Sequence, residues 1–123
     1  MLLSHQRIDD TVVLAPAGRI DHQSAEEFRD AVTPWLVGCH NGANGHALVF
    51  DLSTVDYISS AGLRVLMLAS KQTKPAGGRL AVAALQPVVC EIFKISRFDL
   101  VFAIHPTVDA AVASFAPQPA PSR

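Results

Sequence analysis

Cysteine is scarce in this 123-residue chain. Cys39 and Cys90 stand far apart and form no Cys-x-x-Cys pair, so no disulfide scaffold is available and both are expected as free thiols, Cys90 as a core residue of a helix. The histidines are His5, His22, His40, His46 and His105, none in an HxH or HxxxH arrangement or spaced with a cysteine as zinc ligands are. No metal site or cofactor is expected. His40 and His46 flank the glycine-rich stretch 38–45 and read as solvated loop residues. Charge is thin at 17% of residues, with a formal net charge of -1, so no basic field points to nucleic acid or an anionic membrane. Uninterrupted apolar runs fall short of a membrane span. The start, MLLSHQRIDD, lacks a basic leader followed by an apolar core; no signal peptide is expected, and a reducing, cytoplasmic setting follows.

Catalytic motifs are missing as well. A nucleophile elbow needs G-x-S-x-G, whereas Ile58-Ser59-Ser60-Ala61-Gly62 stands here with no histidine nearby in sequence. A phosphate-binding P-loop must open a helix and carry Gly-Lys; the glycines of 38–45 lead into a strand-like run instead. A phosphoacceptor receiver domain is imitated by Asp51 at a strand end and by Asp9-Asp10. That acidic pair precedes a second strand rather than a helix, and Lys74-Pro75 follows a helix rather than a strand. Asp51 then reads as a carboxylate that orders its loop by accepting backbone N–H groups.

What is present is apolar residue in quantity. Half of the residues are hydrophobic, which excludes disorder for most of the length and leaves one domain with a sizeable core. Leu2–Ile8 and Thr11–Ala15 read as strands joined by an Asp9-Asp10 turn, with a second turn at Pro16-Ala17-Gly18. Ser24 with Glu27 three residues on has the form of a capping box. Ala25, Phe28, Ala31, Val32, Trp35 and Leu36 place an apolar face on the following helix, closed at Gly38. The run 46–52 suits a strand covered on both faces, and residues 53–57 a short connection. Ser59-Ser60-Ala61-Gly62 opens a mostly buried helix whose face holds Leu63, Leu66, Met67 and Ser70, widened by Val65 and Leu68. Strands over 80–85 and 100–104 alternate with helices from Pro87 and from Pro106. The order β-β-α-β-α-β-α-β-α predicts one α/β domain over 1–115. Its mixed sheet has four to five strands, begins with a hairpin and is packed with about four helices. Residues 116–123, rich in proline, are expected as a disordered tail.

The most informative stretch runs from Val49 to Leu63. A strand ends, a short loop follows, and two hydroxyls arrive where a helix begins. Such a start presents unpaired N–H groups and a partial positive charge, so an added phosphate is tolerated there. Ser59 or Ser60 is therefore placed to accept a phosphate rather than to attack a substrate. The same spacing describes a serine that simply caps the helix. The two readings are compatible, one hydroxyl capping while the other faces out.

At these residues the sequence resembles the STAS family, specifically bacterial anti-sigma factor antagonists. Gly18-Arg19-Ile20-Asp21, followed by Ser24-Ala25-Glu26-Glu27-Phe28, is similar to that family's turn before its first helix. Asp51-Leu52-Ser53, with Val55-Asp56-Tyr57-Ile58-Ser59-Ser60-Ala61-Gly62-Leu63, resembles its phosphorylation loop. The resemblance, which spans roughly residues 5–115, implies a protein without enzymatic activity. Unmodified, it binds an anti-sigma factor, usually a GHKL-type serine kinase, and so frees a sigma factor. Phosphorylation ends that binding, and a PP2C-type phosphatase restores it. The family's acceptor aligns with Ser60, with Ser59 the second choice. Asp21, Ser59, Ser60, Ala61 and Gly62 align with the partner-binding surface, for which Asp21 also has an ordinary reading as a turn carboxylate. The same surface is available to a second copy of the chain. A different reading makes the chain a scaffold subunit of a lipid-transport ATPase or a stressosome-like complex, without phosphoswitching. A third makes it a small enzyme or nucleotide-binding protein.

Overall fold

Asp9, in the left-handed region at φ 53°, turns the chain so that β1 (Leu2–Ile8) pairs antiparallel with β2 (Thr11–Ile20), Ile8 facing Thr11. The computed structural model describes residues 2–115; the expected tail, 116–123, lies outside the described residues. Helix α1 spans Ala25–Val37, and β3 (Ala47–Asp51) returns parallel to β2. Strand β4 (Val55–Ile58) leads into α2 (Ser60–Thr73), and β5 (Leu80–Ala83) into α3 (Pro87–Ile95). Strand β6 (Ala103–His105) precedes α4 (Val108–Phe115). The mixed sheet runs β1-β2-β3-β5-β6, and β4 pairs with the far end of β2.

Side chains alternate across this sheet as the two-residue strand period requires. Val12, Leu14, Leu48, Phe50 and Val82 face a large core shared with Phe28 and Val32 of α1, Leu63 and Leu66 of α2, and Val89 and Phe93 of α3. Val13, Val49, Ala81 and Ala83 face a smaller core beneath Ala111 of α4. The near-continuous apolar reading of 46–52 follows from that double burial.

Three expectations shift. The Pro16-Ala17-Gly18 signal is no turn: β2 continues through it. Pro16 falls between the stretch of β2 paired with β3 (Thr11–Leu14) and the stretch paired with β4 (Gly18–Ile20), where the register shifts and Gly18 adopts φ 90°. The chain bends there as at a bulge, a place where proline and glycine are tolerated in a sheet. Residues 55–57, expected within a connection, form β4 together with Ile58, so the sheet has six strands. The last strand starts at Ala103, after a 3-10 turn at Phe98–Leu100.

Burial also reassigns single residues. Cys39 is buried and Cys90 only half-buried, because α3 inserts Val89 and Phe93, one turn apart, into the core. Leu68 is 46% exposed rather than part of the buried face of α2. His46 is half-buried rather than solvated: its Nε2 donates to the Trp35 carbonyl at 2.9 Å, and its ring occupies the space a side chain on Gly38 would need. Gly38 closes α1 with an ordinary helical backbone, so close packing rather than a left-handed cap explains the glycine.

Candidate functional site

Parallel pairing of β2 with β4 builds the site. Ile20 stands opposite Ile58, and the Ser59 amide donates to the Ile20 carbonyl at 2.8 Å. Asp21 and Ser59, each one residue past that pair, therefore leave the sheet side by side. Gly18, whose amide donates to the Thr54 carbonyl at 2.8 Å, and Thr54 Oγ1, which donates to the Pro16 carbonyl at 3.0 Å, fix the approach of the two strands.

Asp21 orders the entry to α1. Its Oδ1 accepts the amides of Gln23 (3.0 Å) and Ser24 (2.9 Å), and Ser24 Oγ accepts the amide of Asp21 at 2.9 Å. These bonds replace the expected capping action of Ser24, which makes no side-chain bond to the first turn of α1. The amide of Ser24, above all, holds the Asp21 carboxyl below its ordinary value of 3.8 against a smaller opposing effect of burial. Arg19 lies 3.6 Å from Asp21 Oδ2 and stacks its guanidinium 4.2 Å from the centre of the Tyr57 ring.

The two serines separate. Ser59 has extended backbone (φ -83°, ψ 171°), and its Oγ accepts the Gly62 amide at 3.2 Å: it is the cap of α2. Ser60 is the first helical residue; its side chain is exposed and makes no hydrogen bond among the described residues. Ala61 is half-buried at the head of a shallow depression of about 250 Å³ between α1 and α2, lined also by His22, Glu26, Arg29 and Arg64. Gly62 is buried, and a Cβ there would stand 2.7 Å from Ile20 Cγ2 and 2.8 Å from Ile58 Cγ1. Glycine at 62 lets the helix start close against both strand ends, which is what holds Ser60 at the surface.

Asp51 orders its own loop: its Oδ1 accepts the Ser53 amide at 3.0 Å, and Gln86 Nε2 donates to the Ser53 carbonyl at 2.8 Å. Nothing joins Asp51 to the serines. No histidine hydrogen-bonds Ser59 or Ser60 among the described residues. No three His, Cys, Asp or Glu side chains among the described residues are grouped to hold a metal ion. None of the described helices is long and apolar enough to cross a membrane. The arrangement can present a hydroxyl to another protein's catalytic cleft. Sequence reasoning missed Arg19 with Tyr57, and missed Arg64; the four-residue spacing from Ser60 was the signal for Arg64.

Comparison with known proteins agrees with this geometry. The family described as the STAS domain matches residues 3–111. BtrV of Bordetella bronchiseptica, named as a candidate anti-sigma factor antagonist, is 33% identical over 115 residues, covering 94% of this chain and 95% of that protein. An anti-sigma factor antagonist from Mycobacterium paratuberculosis superposes with a TM-score of 0.81 at 25% identity, over 92% of each chain. SpoIIAA shares the fold at lower identity. Its unphosphorylated form has a TM-score of 0.74 at 16% identity, over 92% of this chain and 95% of that one. The phosphorylated form, from Bacillus, has 0.68 at 15%, over 94% and 100%.

Proposed function

This chain belongs to the STAS domain family, and on that footing we propose that it is an anti-sigma factor antagonist switched by phosphorylation at Ser60. With Ser60 unmodified, the surface formed by Asp21, Ser59, Ser60 and Ala61 docks on an anti-sigma factor and releases its sigma factor; Gly62, expected on that surface, is buried and supports it from beneath. The partner is a GHKL-type serine kinase. It transfers the γ-phosphoryl of ATP to Ser60 Oγ: a P–O bond to the serine forms, the bond to the ADP oxygen breaks, and the hydroxyl proton is released. A PP2C-type phosphatase hydrolyses the ester and resets the switch in the cytoplasm. The chain is a binding module, and the unit over 1–115 carries the whole of this role.

The observation that carries this reading is the division of labour between the serines. Ser59 Oγ is engaged as a cap, while Ser60 Oγ is exposed and unengaged at the first position of α2. A phosphate on Ser59 would cost the cap bond; one on Ser60 leaves every bond of the helix start in place. Phosphorylation adds a charge of about -1.5 to -2. Desolvating that charge in an interface built for a neutral hydroxyl costs several kcal/mol, enough to weaken binding on the order of 10²-fold or more.

Incubation of the full chain with ATP and the cognate kinase, followed by mass spectrometry, should place the modification on Ser60. Against the unmodified partner, Ser60→Ala should bind as the parent does and Ser60→Asp on the order of 10²-fold more weakly. Equal affinity of all three would remove the switch from this position.

A further inference from the structure

Ser60 and Arg64 are both exposed and stand four residues apart on α2. Residues four apart on a helix leave the same face, with their Cβ atoms about 5–6 Å from one another. Arg64 enters no ion pair among the described residues. Its side chain lines the depression beside Ala61, with His22 from the turn before α1 and with Glu26 and Arg29 from α1 itself. Glu26, the single carboxylate in that lining, makes no salt bridge with Arg64. Of the other arginines near the site, Arg19 is already committed to Asp21 and to the Tyr57 ring, and Arg29, also without an ion pair among the described residues, stands across the depression on α1. One guanidinium is thus left uncommitted within a helical turn of the proposed acceptor, in a hollow where cations outnumber the acid.

We propose that Arg64 is the internal counter-ion of the Ser60 phosphate. The inference rests on the reading of Ser60 as the modified residue and adds how the modified state is held. In the unmodified protein Arg64 faces outward, free to meet an acidic group of the docking partner. Once Ser60 carries a phosphate, the guanidinium turns along its own helix to the phosphate oxygens, a charge-assisted geometry that arginine favours. Phosphorylation then acts twice on the interface: it adds an anion and withdraws a cation.

The test installs phosphoserine at position 60 of the full chain during translation and follows the 31P resonance through a pH titration. Arg64 stabilises the dianion, so the phosphate of the parent should titrate lowest. Arg64→Gln should raise the midpoint by about 0.2–0.4 pH unit, the size of a same-face helical ion pair to the one charge gained in that step. Arg64→Lys should recover most of that shift, 0.5 M salt should shrink it, and Arg79→Gln, beside Phe115, should leave the midpoint where the parent has it. Circular dichroism checks that each variant is folded, as expected for exposed positions. An unchanged midpoint in Arg64→Gln overturns the proposal. Because translation supplies the phosphate, that result would leave the kinase switch standing, while a kinase that ignores Ser60 would defeat the switch and leave the pair intact.

Discussion

At the start of α1, Asp21 and Ser24 tie down the entering chain beside the mouth of α2; at its end, Trp35, Gly38 and His46 fasten the leaving chain against the loop 38–45. Both ends use side-chain hydrogen bonds and a glycine whose missing Cβ lets two elements approach. They differ in what is left over. At the far end the polar and aromatic groups are engaged with one another: His46 bonds the Trp35 carbonyl, and His5 stacks on the Trp35 ring with centroids 4.6 Å apart. At the near end Asp21, Ser24 and Ser59 are engaged, while Ser60 and Arg64 are not. A helix end can be fully satisfied without either of those two side chains. On the proposed reading, the two serve a phosphate and a docking partner that come to the surface from outside.

Substitution should sharpen that contrast. The largest effect is expected from Gly62→Val, because its side chain would enter the space of Ile20 and Ile58, which are 0% and 1% exposed. Overpacking of this kind should lower the unfolding free energy by about 3 kcal/mol in urea denaturation. At the far end, Gly38→Ala would place a Cβ 2.4 Å from His46 Cε1. A ring at the margin of the fold can swing away, so the cost should be smaller, about 1–2 kcal/mol. Since Trp35 is the single tryptophan, its fluorescence should change with that variant and stay constant with Gly62→Val in the native baseline. Equal costs at the two glycines would break the distinction between a core contact and a movable one.

The serines provide the next contrast. Ser59→Ala deletes the cap bond to Gly62 and should cost about 1 kcal/mol, while Ser60→Ala should stay within about 0.5 kcal/mol of the parent. The reverse order would exchange their roles. The smallest effect belongs to Asp21. Its carboxyl is held below 3.8 when folded, so its contribution to stability is fully present above that value and is lost as pH falls through the folded value. The stability difference between parent and Asp21→Asn should therefore be constant near neutrality and shrink only on the acid side, as acid-dependent thermal unfolding would report. A difference that instead grew as the pH fell would contradict the bonding seen at Asp21.

Local signals were legible where one side chain pattern had one structural meaning. The Asp9-Asp10 hairpin, the apolar faces of α1 and α2, and the alternation of strands and helices all follow from short-range chemistry. The mouth of α2 was legible as a place, but two adjacent serines offered the same atoms for capping. Strand β4 was hidden because Val55–Ile58 is only four residues long and owes its form to β2 alongside. Proline and glycine at 16–18 mark a bend in a strand as readily as its end. His46 looked solvated because its partner, the Trp35 carbonyl, is distant in sequence.

By itself the sequence determined the α/β alternation, the family and the hydroxyl pair at a helix start, since periodicity, turn residues and motif spacing are properties of neighbouring residues. Which serine faces solvent was decided only when β2 and β4 paired: that ladder sets the strand ends level, Gly62 seats the helix against Ile20 and Ile58, and the backbone of Ser59 is held extended in the capping position. Whether a hydroxyl is spent or free depends on the direction in which its backbone is held, and at this site packing between distant segments sets that direction.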